Sequence, residues 1–222
     1  MSVSPDGRWI AFLQGGPHGR DVYKLPLEGG TPVQLTFDGS AAYWPGVAWS
    51  PDGSEIAFVA NEPAGAHVWV VAAGGGPARR LGSTRVFALA PRLSWAPGRF
   101  LLAGQEDLGN ILVIDPVSGR ARPLVGAASG TLRDELAAPD GDRVAAGWYR
   151  GGVFGLWLFS LQGRSPRLLT TDAWSPIGWT PDEQFVYAMP HPLVMERTPM
   201  VLRVNVSSGR VDTVLTDRKS VV

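Results

Sequence analysis

Short apolar runs recur along the whole chain, and each is closed at both ends by glycine, proline or a small polar residue. One set reads WIAF from Trp9, EIAFV from Glu55, FLLA from Phe100, VAA from Val144 and FVYA from Phe185. A second set is richer in β-branched and aromatic residues: VYKL from Val22, VWVV from Val68, ILVI from Ile111, LWLF from Leu156 and VLRV from Val201. Runs of this length and composition, bounded by turn formers, predict β-strands. Their alternation is imperfect, as expected for strands covered on both faces. No stretch carries the 3.6-residue periodicity of a useful amphipathic helix.

The runs are arranged in a repeat. SPDG at Ser4, SPDG at Ser50, APG at Ala96, APDG at Ala138 and TPDE at Thr180 place prolines at intervals of 46, 46, 42 and 42 residues. A second landmark, Leu35, Leu81, Leu124, Leu169 and Leu215, follows at intervals of 46, 43, 45 and 46. Glycine turns at Gly29-Gly30, Gly74-Gly75-Gly76, Gly119, Gly163 and Gly209 supply a third feature of each copy. Four antiparallel strands in each of five units of about 42–46 residues is the signature of an all-β, five-bladed β-propeller of four-stranded blades. Residues 1–222 are thus expected to form one propeller domain. A β-sandwich shares short, evenly spaced strands but does not require the same turn chemistry at every fourth connection.

The copies SPDGRWIAFLQGG and WSPDGSEIAFVAN, with the strands that follow them, resemble the WD-repeat-like unit of the TolB-like β-propeller family. The third copy lacks the aspartate, and Glu183 stands for glycine in the fifth. That resemblance covers nearly the whole chain and implies a bacterial binding scaffold, periplasmic if a signal peptide has been removed and cytoplasmic if Met1 is the native start. The same repeat occurs in propellers fused to prolyl-oligopeptidase-type hydrolases, bacterial kinases and winged-helix regulators. An accessory or sensor role within such a protein is therefore the alternative reading.

Composition narrows the chemistry. Twenty basic and twenty acidic side chains cancel, which disfavours a nucleic-acid partner that would need a basic stripe. No apolar run approaches the ~20 residues of a membrane span, so membrane insertion is not expected. The absence of cysteine removes disulfides and thiolate chemistry. No nucleophile elbow, zinc-protease helix or phosphate loop is present, and His18, His67 and His191 lack metal-like spacing. Catalytic, cofactor and metal sites are accordingly all read as none. The carboxylates Glu62, Glu106, Asp107, Asp134, Glu135 and Glu196 keep a glycoside-acting enzyme open as a second alternative.

The Pro-Asp-Gly repeats read as turns: proline presets φ, aspartate accepts backbone N–H bonds and glycine tolerates positive φ. Trp49, Trp95 and Trp179, each directly before such a turn, are expected to pack between blades. In a meander, these turns and the glycine turns share one end of each sheet. The other end should carry long irregular connections at 14–21, 37–45, 61–67, 84–90, 148–154, 171–175 and 190–199. Binding is expected there, for a protein or peptide partner of a monomeric scaffold, through Tyr43, Trp44, Arg85, Phe87, Tyr149, Arg150, Trp174, His191 and Arg197.

Ring closure is the last expectation. From Leu215 through a join of the chain ends to Pro5 is 12 residues, the same as from Leu169 to Pro181. Ser220-Val221-Val222 should therefore pair into the first blade and remove exposed sheet edges. Deletion of residues 217–222 is expected to lower the melting temperature or cause aggregation. An unchanged melting curve and unchanged solubility would identify a free tail.

Overall fold

A computed structural model of the chain describes residues 1–42, 46–86, 93–97, 100–104, 109–126, 130–171, 175–190 and 200–216. The chain packs as two compact units, Met1–Leu108 with Leu112–Pro123, and Gly109–Ile111 with Leu124–Val222. In the first unit, β1 (Ser2–Val3), β2 (Trp9–Gly16), β3 (Gly19–Pro26) and β4 (Val33–Gln34) form one sheet. A second contains β5 (Val47–Trp49), β6 (Glu55–Glu62), β7 (Gly65–Ala72) and β8 (Arg79–Arg85). The third contains β9 (Leu93–Ala96), β10 (Phe100–Gly104), β11 (Ile111–Ile114) and β12 (Ala121–Pro123).

The second unit holds two sheets. One is β13 (Thr131–Ala137), β14 (Arg143–Arg150), β15 (Val153–Ser160) and β16 (Arg167–Thr170). The other is β17 (Ser175–Trp179), β18 (Phe185–Met189), β19 (Met200–Asn205) and β20 (Val211–Thr216). Every sheet is a four-stranded antiparallel meander in chain order, and no helix occurs among the described residues. Five such sheets, one per sequence repeat, make a five-bladed β-propeller. The proposed closing strand, Ser220-Val221-Val222, lies outside the described residues.

The recurrent turn wires itself. At the first copy the Ser4 hydroxyl donates to Asp6 Oδ1 at 2.5 Å, and the same oxygen accepts the Arg8 N–H at 3.0 Å. The Trp9 N–H then donates to Ser4 Oγ at 2.9 Å, which starts the ladder of β2. Ser50 and Asp52 repeat the arrangement at 2.6 Å, and Thr180 and Asp182 repeat it at 2.6 Å. At the fourth copy Ala138 has no hydroxyl, and Asp140 Oδ1 accepts the Asp142 and Arg143 N–H groups without one. The glycines of these turns, Gly7, Gly53 and Gly141, have φ of 70°, 73° and 72°. Glu183 occupies the same position with φ 56°, a left-handed conformation costly for a residue with a β-carbon.

Behind the turns, sheets cover one another. Ala11, Val22, Ile56 and Phe58 are buried in one cluster that draws on the first two sheets. Val59, Val68, Leu101 and Ile114 belong to a cluster between the second and third. In the second unit Ala145, Leu156, Val186 and Val204 do the same. The landmark tryptophans pack as expected. Trp49 is buried, and its Nε1 donates across the sheet boundary to the Ser2 carbonyl at 3.1 Å. Trp179 Nε1 makes the equivalent bond to the Leu136 carbonyl at 3.3 Å. Leu35, Leu81 and Leu169 are buried, whereas Leu215 is 63% exposed.

One expectation fails at the other end of the sheets. The connections at 14–21, 61–67 and 148–154 are tight hairpins rather than long irregular loops, because the strands continue beyond their apolar runs. Gly16 pairs with Gly19, Glu62 with Gly65 and Arg150 with Val153, leaving two residues at each tip.

The turn network makes stability acid-sensitive. The Ser50 hydroxyl, then the Ser54 N–H and hydroxyl, hold Asp52 down to about 2 from an ordinary 3.8. Asp6 is lowered by the Ser4 hydroxyl and Arg8 N–H, and Asp182 by the Thr180 hydroxyl and Gln184 N–H. A carboxyl depressed in the folded state contributes stability fully present above its unfolded value and lost as pH falls through its folded value. For Asp52, melting temperature is therefore expected to fall between about pH 4 and pH 2. Ser50→Ala should flatten that acid limb and lower stability at pH 7 by about 1 kcal/mol, the usual worth of one such bond. Melting curves from pH 2 to 7 for both proteins provide the check.

Candidate functional site

In the second unit the hairpin between β14 and β15 turns on Gly151 and Gly152, with φ of 59° and 83°. Positive φ at both central residues is the type I′ geometry, whose twist matches that of the flanking strands. The register then sets Tyr149 directly opposite Phe154. Their rings lie 4.2 Å apart between centroids, yet Tyr149 is 39% exposed, Phe154 47% and the adjacent Val153 43%. Strand alternation sends Arg150 to the other side of the sheet, where its guanidinium sits 4.8 Å from the ring centre of Trp148. Trp148 is buried and meets Trp157 edge-on at 5.0 Å and Phe159 at 5.6 Å. Gly130 holds the hairpin from the side: a β-carbon there would lie 1.9 Å from the Tyr149 carbonyl oxygen. The tip is thus an exposed aromatic pair on a rigid support.

The corresponding hairpin in the second sheet is polar. Glu62 accepts the Trp69 indole N–H at 2.8 Å and pairs with Arg80 at 3.1 Å. The Trp69 bond is the main reason its carboxyl lies below the ordinary range. His67 is buried with Nδ1 3.5 Å from the same carboxylate. Arg85 stands opposite His67 in the ladder, and its aliphatic stem occupies the space that a β-carbon on Gly65 would need, 3.0 Å from Cδ.

Of the nine residues expected on the binding face, Arg85, Tyr149 and Arg150 lie at strand ends next to hairpin tips. Tyr43, Trp44, Phe87, Trp174, His191 and Arg197 lie outside the described residues. Phe154 is the principal addition. A signal for it was available, since two glycines between Arg150 and Val153 imply a two-residue hairpin and hence the pairing of Tyr149 with Phe154.

Carboxylates expected in loops are also placed differently. Asp134 and Glu135 belong to β13, where the register breaks between Arg133 and Leu136. Both are buried, and Asp134, at φ 57°, accepts the Ser175 hydroxyl at 2.8 Å. A bulge admits two residues opposite one, so a carboxylate pair enters a strand that simple alternation would exclude. Among the described residues no group of three or more histidines and carboxylates could hold a metal ion. No helix among the described residues is long and apolar enough to cross a membrane.

No protein-family model matches the chain, and no curated protein matches it. Solved structures do. TolB from Acinetobacter baumannii is similar over 96% of this chain and 53% of its own, with TM-score 0.74 and 17% identity. A protein of Agrobacterium tumefaciens assigned to TolB is similar over 96% and 78%, with TM-score 0.70 and 21% identity. A nidogen/laminin complex matches 91% of this chain with TM-score 0.64 and 14% identity, covering 76% of the chain concerned. The chain therefore spans about half the length of the Acinetobacter TolB. At these identities the likeness establishes the fold that TolB proteins share with this chain: the β-propeller.

Proposed function

We propose that the chain is a non-enzymatic propeller scaffold that binds a protein or peptide partner at its hairpin ends. The observation carrying this reading is the Tyr149–Phe154 pair, in ring contact and exposed at the tip of a two-residue hairpin. Exposed aromatics cost free energy in water and supply large contact area with little side-chain entropy to lose, which is why they anchor interfaces. Arg150 adds a cationic flank already positioned on Trp148. A fold shared with a structure of a nidogen/laminin complex is in keeping with protein recognition.

A second reading has its own support. Similar propellers occur in a structure of puromycin hydrolase and in one of prolyl endopeptidases, where this chain matches 35% and 34% of the longer chain. In that reading the scaffold serves a larger enzyme, and the aromatic tip contacts its neighbouring domain.

Selection of a displayed random-peptide library on the immobilised protein tests the first reading. Selected peptides are expected to bind the Tyr149→Ala/Phe154→Ala variant at least about tenfold more weakly, with the melting temperature little changed, since exposed side chains contribute little to folding. Peptides that bind both proteins equally would place recognition elsewhere.

A further inference from the structure

At the Pro-Asp-Gly end of the first unit, the first and second sheets leave a cavity of about 480 Å³, within the size range of ligand pockets. Trp9, Trp49, Lys24, Asp6 and Asp52 line it. Lys24 is committed to the wall: its ammonium donates to the Ala73 carbonyl at 2.6 Å and lies 4.4 Å from the Trp9 ring centre. Asp6 and Asp52 each use Oδ1 for the turn, and neither Oδ2 accepts a hydrogen bond among the described residues. Both carboxyls are depressed, so both carry full charge at neutral pH. Arg8 lines a neighbouring groove with Pro26 and Glu28 on which Trp9 also borders. Its charge adds to the lowering of Asp6 without an ion pair between the two side chains among the described residues.

The second unit shows what the same crevice accepts. Ladder positions relate the two: Ala11 pairs with Ser2 and Lys24, and Ala145 pairs with Leu136 and Leu158. Trp9 thus corresponds to Arg143, Asp6 to Asp140, Asp52 to Asp182, and Gly53 to Glu183. Trp49 corresponds to Trp179, and the matching indole bonds to Ser2 and Leu136 confirm the alignment. In the second unit, Arg143 fills the crevice. Its guanidinium pairs with Asp140 and Glu183 and lies 5.4 Å from the ring centre of Trp179. In the first unit Trp9 stands at that position, and Gly53, next to Pro5, brings no side chain of its own to the cavity.

We propose that the crevice of the first unit takes an arginine side chain presented by a partner polypeptide. Its guanidinium would pair with Asp6, as Arg143 pairs with Asp140, and lie against the tryptophan wall, with Asp52 taking the part that Glu183 plays in the second unit. A planar guanidinium suits this better than an ammonium, because it can bridge carboxylates in a fork and stack on an indole at once. The site is independent of the hairpin ends and stands or falls separately from recognition there.

A blocked Gly-Arg-Gly peptide, titrated while the tryptophan indole N–H signals are followed by NMR, tests the proposal. Saturable shifts of the Trp9 and Trp49 signals are expected, with the citrulline analogue binding at least about tenfold more weakly for loss of charge. Asp6→Asn and Asp52→Asn should each weaken binding about tenfold. The asparagine oxygen can still accept the turn bonds, as Asn205 accepts Ser207 and Ser208 N–H groups in its own turn. Trp9→Arg should fill the crevice from within and abolish binding, and Lys24→Ala should strengthen it severalfold by removing a like charge. Absence of saturable shifts, equal binding of the citrulline peptide, or unchanged affinity in the folded Asp6→Asn/Asp52→Asn double variant would each overturn it.

Discussion

A four-stranded sheet with apolar side chains on both faces has no stable existence alone in water, and each sheet here depends on another to cover it. Every residue of β11 is buried, as are five successive residues of β6 from Ile56. Each valine, leucine, isoleucine or phenylalanine among them is worth about 1.5–3 kcal/mol when fully removed from water. The polar cross-links follow from this covering. Arg79 reaches from the second sheet to the Pro116 carbonyl of the third, and Arg167 from the fourth to the Ser207 carbonyl of the fifth. Those carbonyls belong to turns that apolar packing brings within reach of the arginines.

Repetition also permits divergence without loss of the frame. Glu183 shows how much a local rule bends when another interaction compensates. The position favours glycine, yet a glutamate is kept at φ 56° and its carboxylate meets Arg143 across the sheet boundary. Where the first unit retains glycine at Gly53 and carries Trp9 in place of the arginine, the boundary stays open. One backbone therefore carries an arginine bridging two carboxylates in one unit and a tryptophan-lined cavity in another, with Arg143 and Glu183 standing where the first unit has Trp9 and Gly53.

Much of the fold was legible because its signals are local. Proline, aspartate and glycine each act within a few residues, so Ser4, Asp6 and Gly7 announce a turn whatever surrounds them. The tight hairpins were less legible. Polar residues such as Glu62 and Arg20 extend strands past their apolar cores through backbone pairing, to which hydrophobic patterning is blind. Asp134 and Glu135 were hidden for a related reason, since a bulge breaks the two-residue period. The crevice was least visible: Trp9, Lys24 and Asp52 are distant in sequence, and only folding puts them on one wall. Tyr149 and Arg150 were identified from residue type, whereas the opposition of Tyr149 to Phe154 needed the hairpin register.

The bonds of the Pro-Asp-Gly turn join residues two to five apart, so they close early and at little entropic cost during folding. Loop closure over such short spans is fast compared with the pairing of distant segments. Each first hairpin can form on its own before any sheet boundary exists. The slow events are then the docking of preformed sheets, and their order is not dictated by the turns. Chain growth on the ribosome supplies an order instead, presenting the Ser4 turn first and the Thr180 turn last.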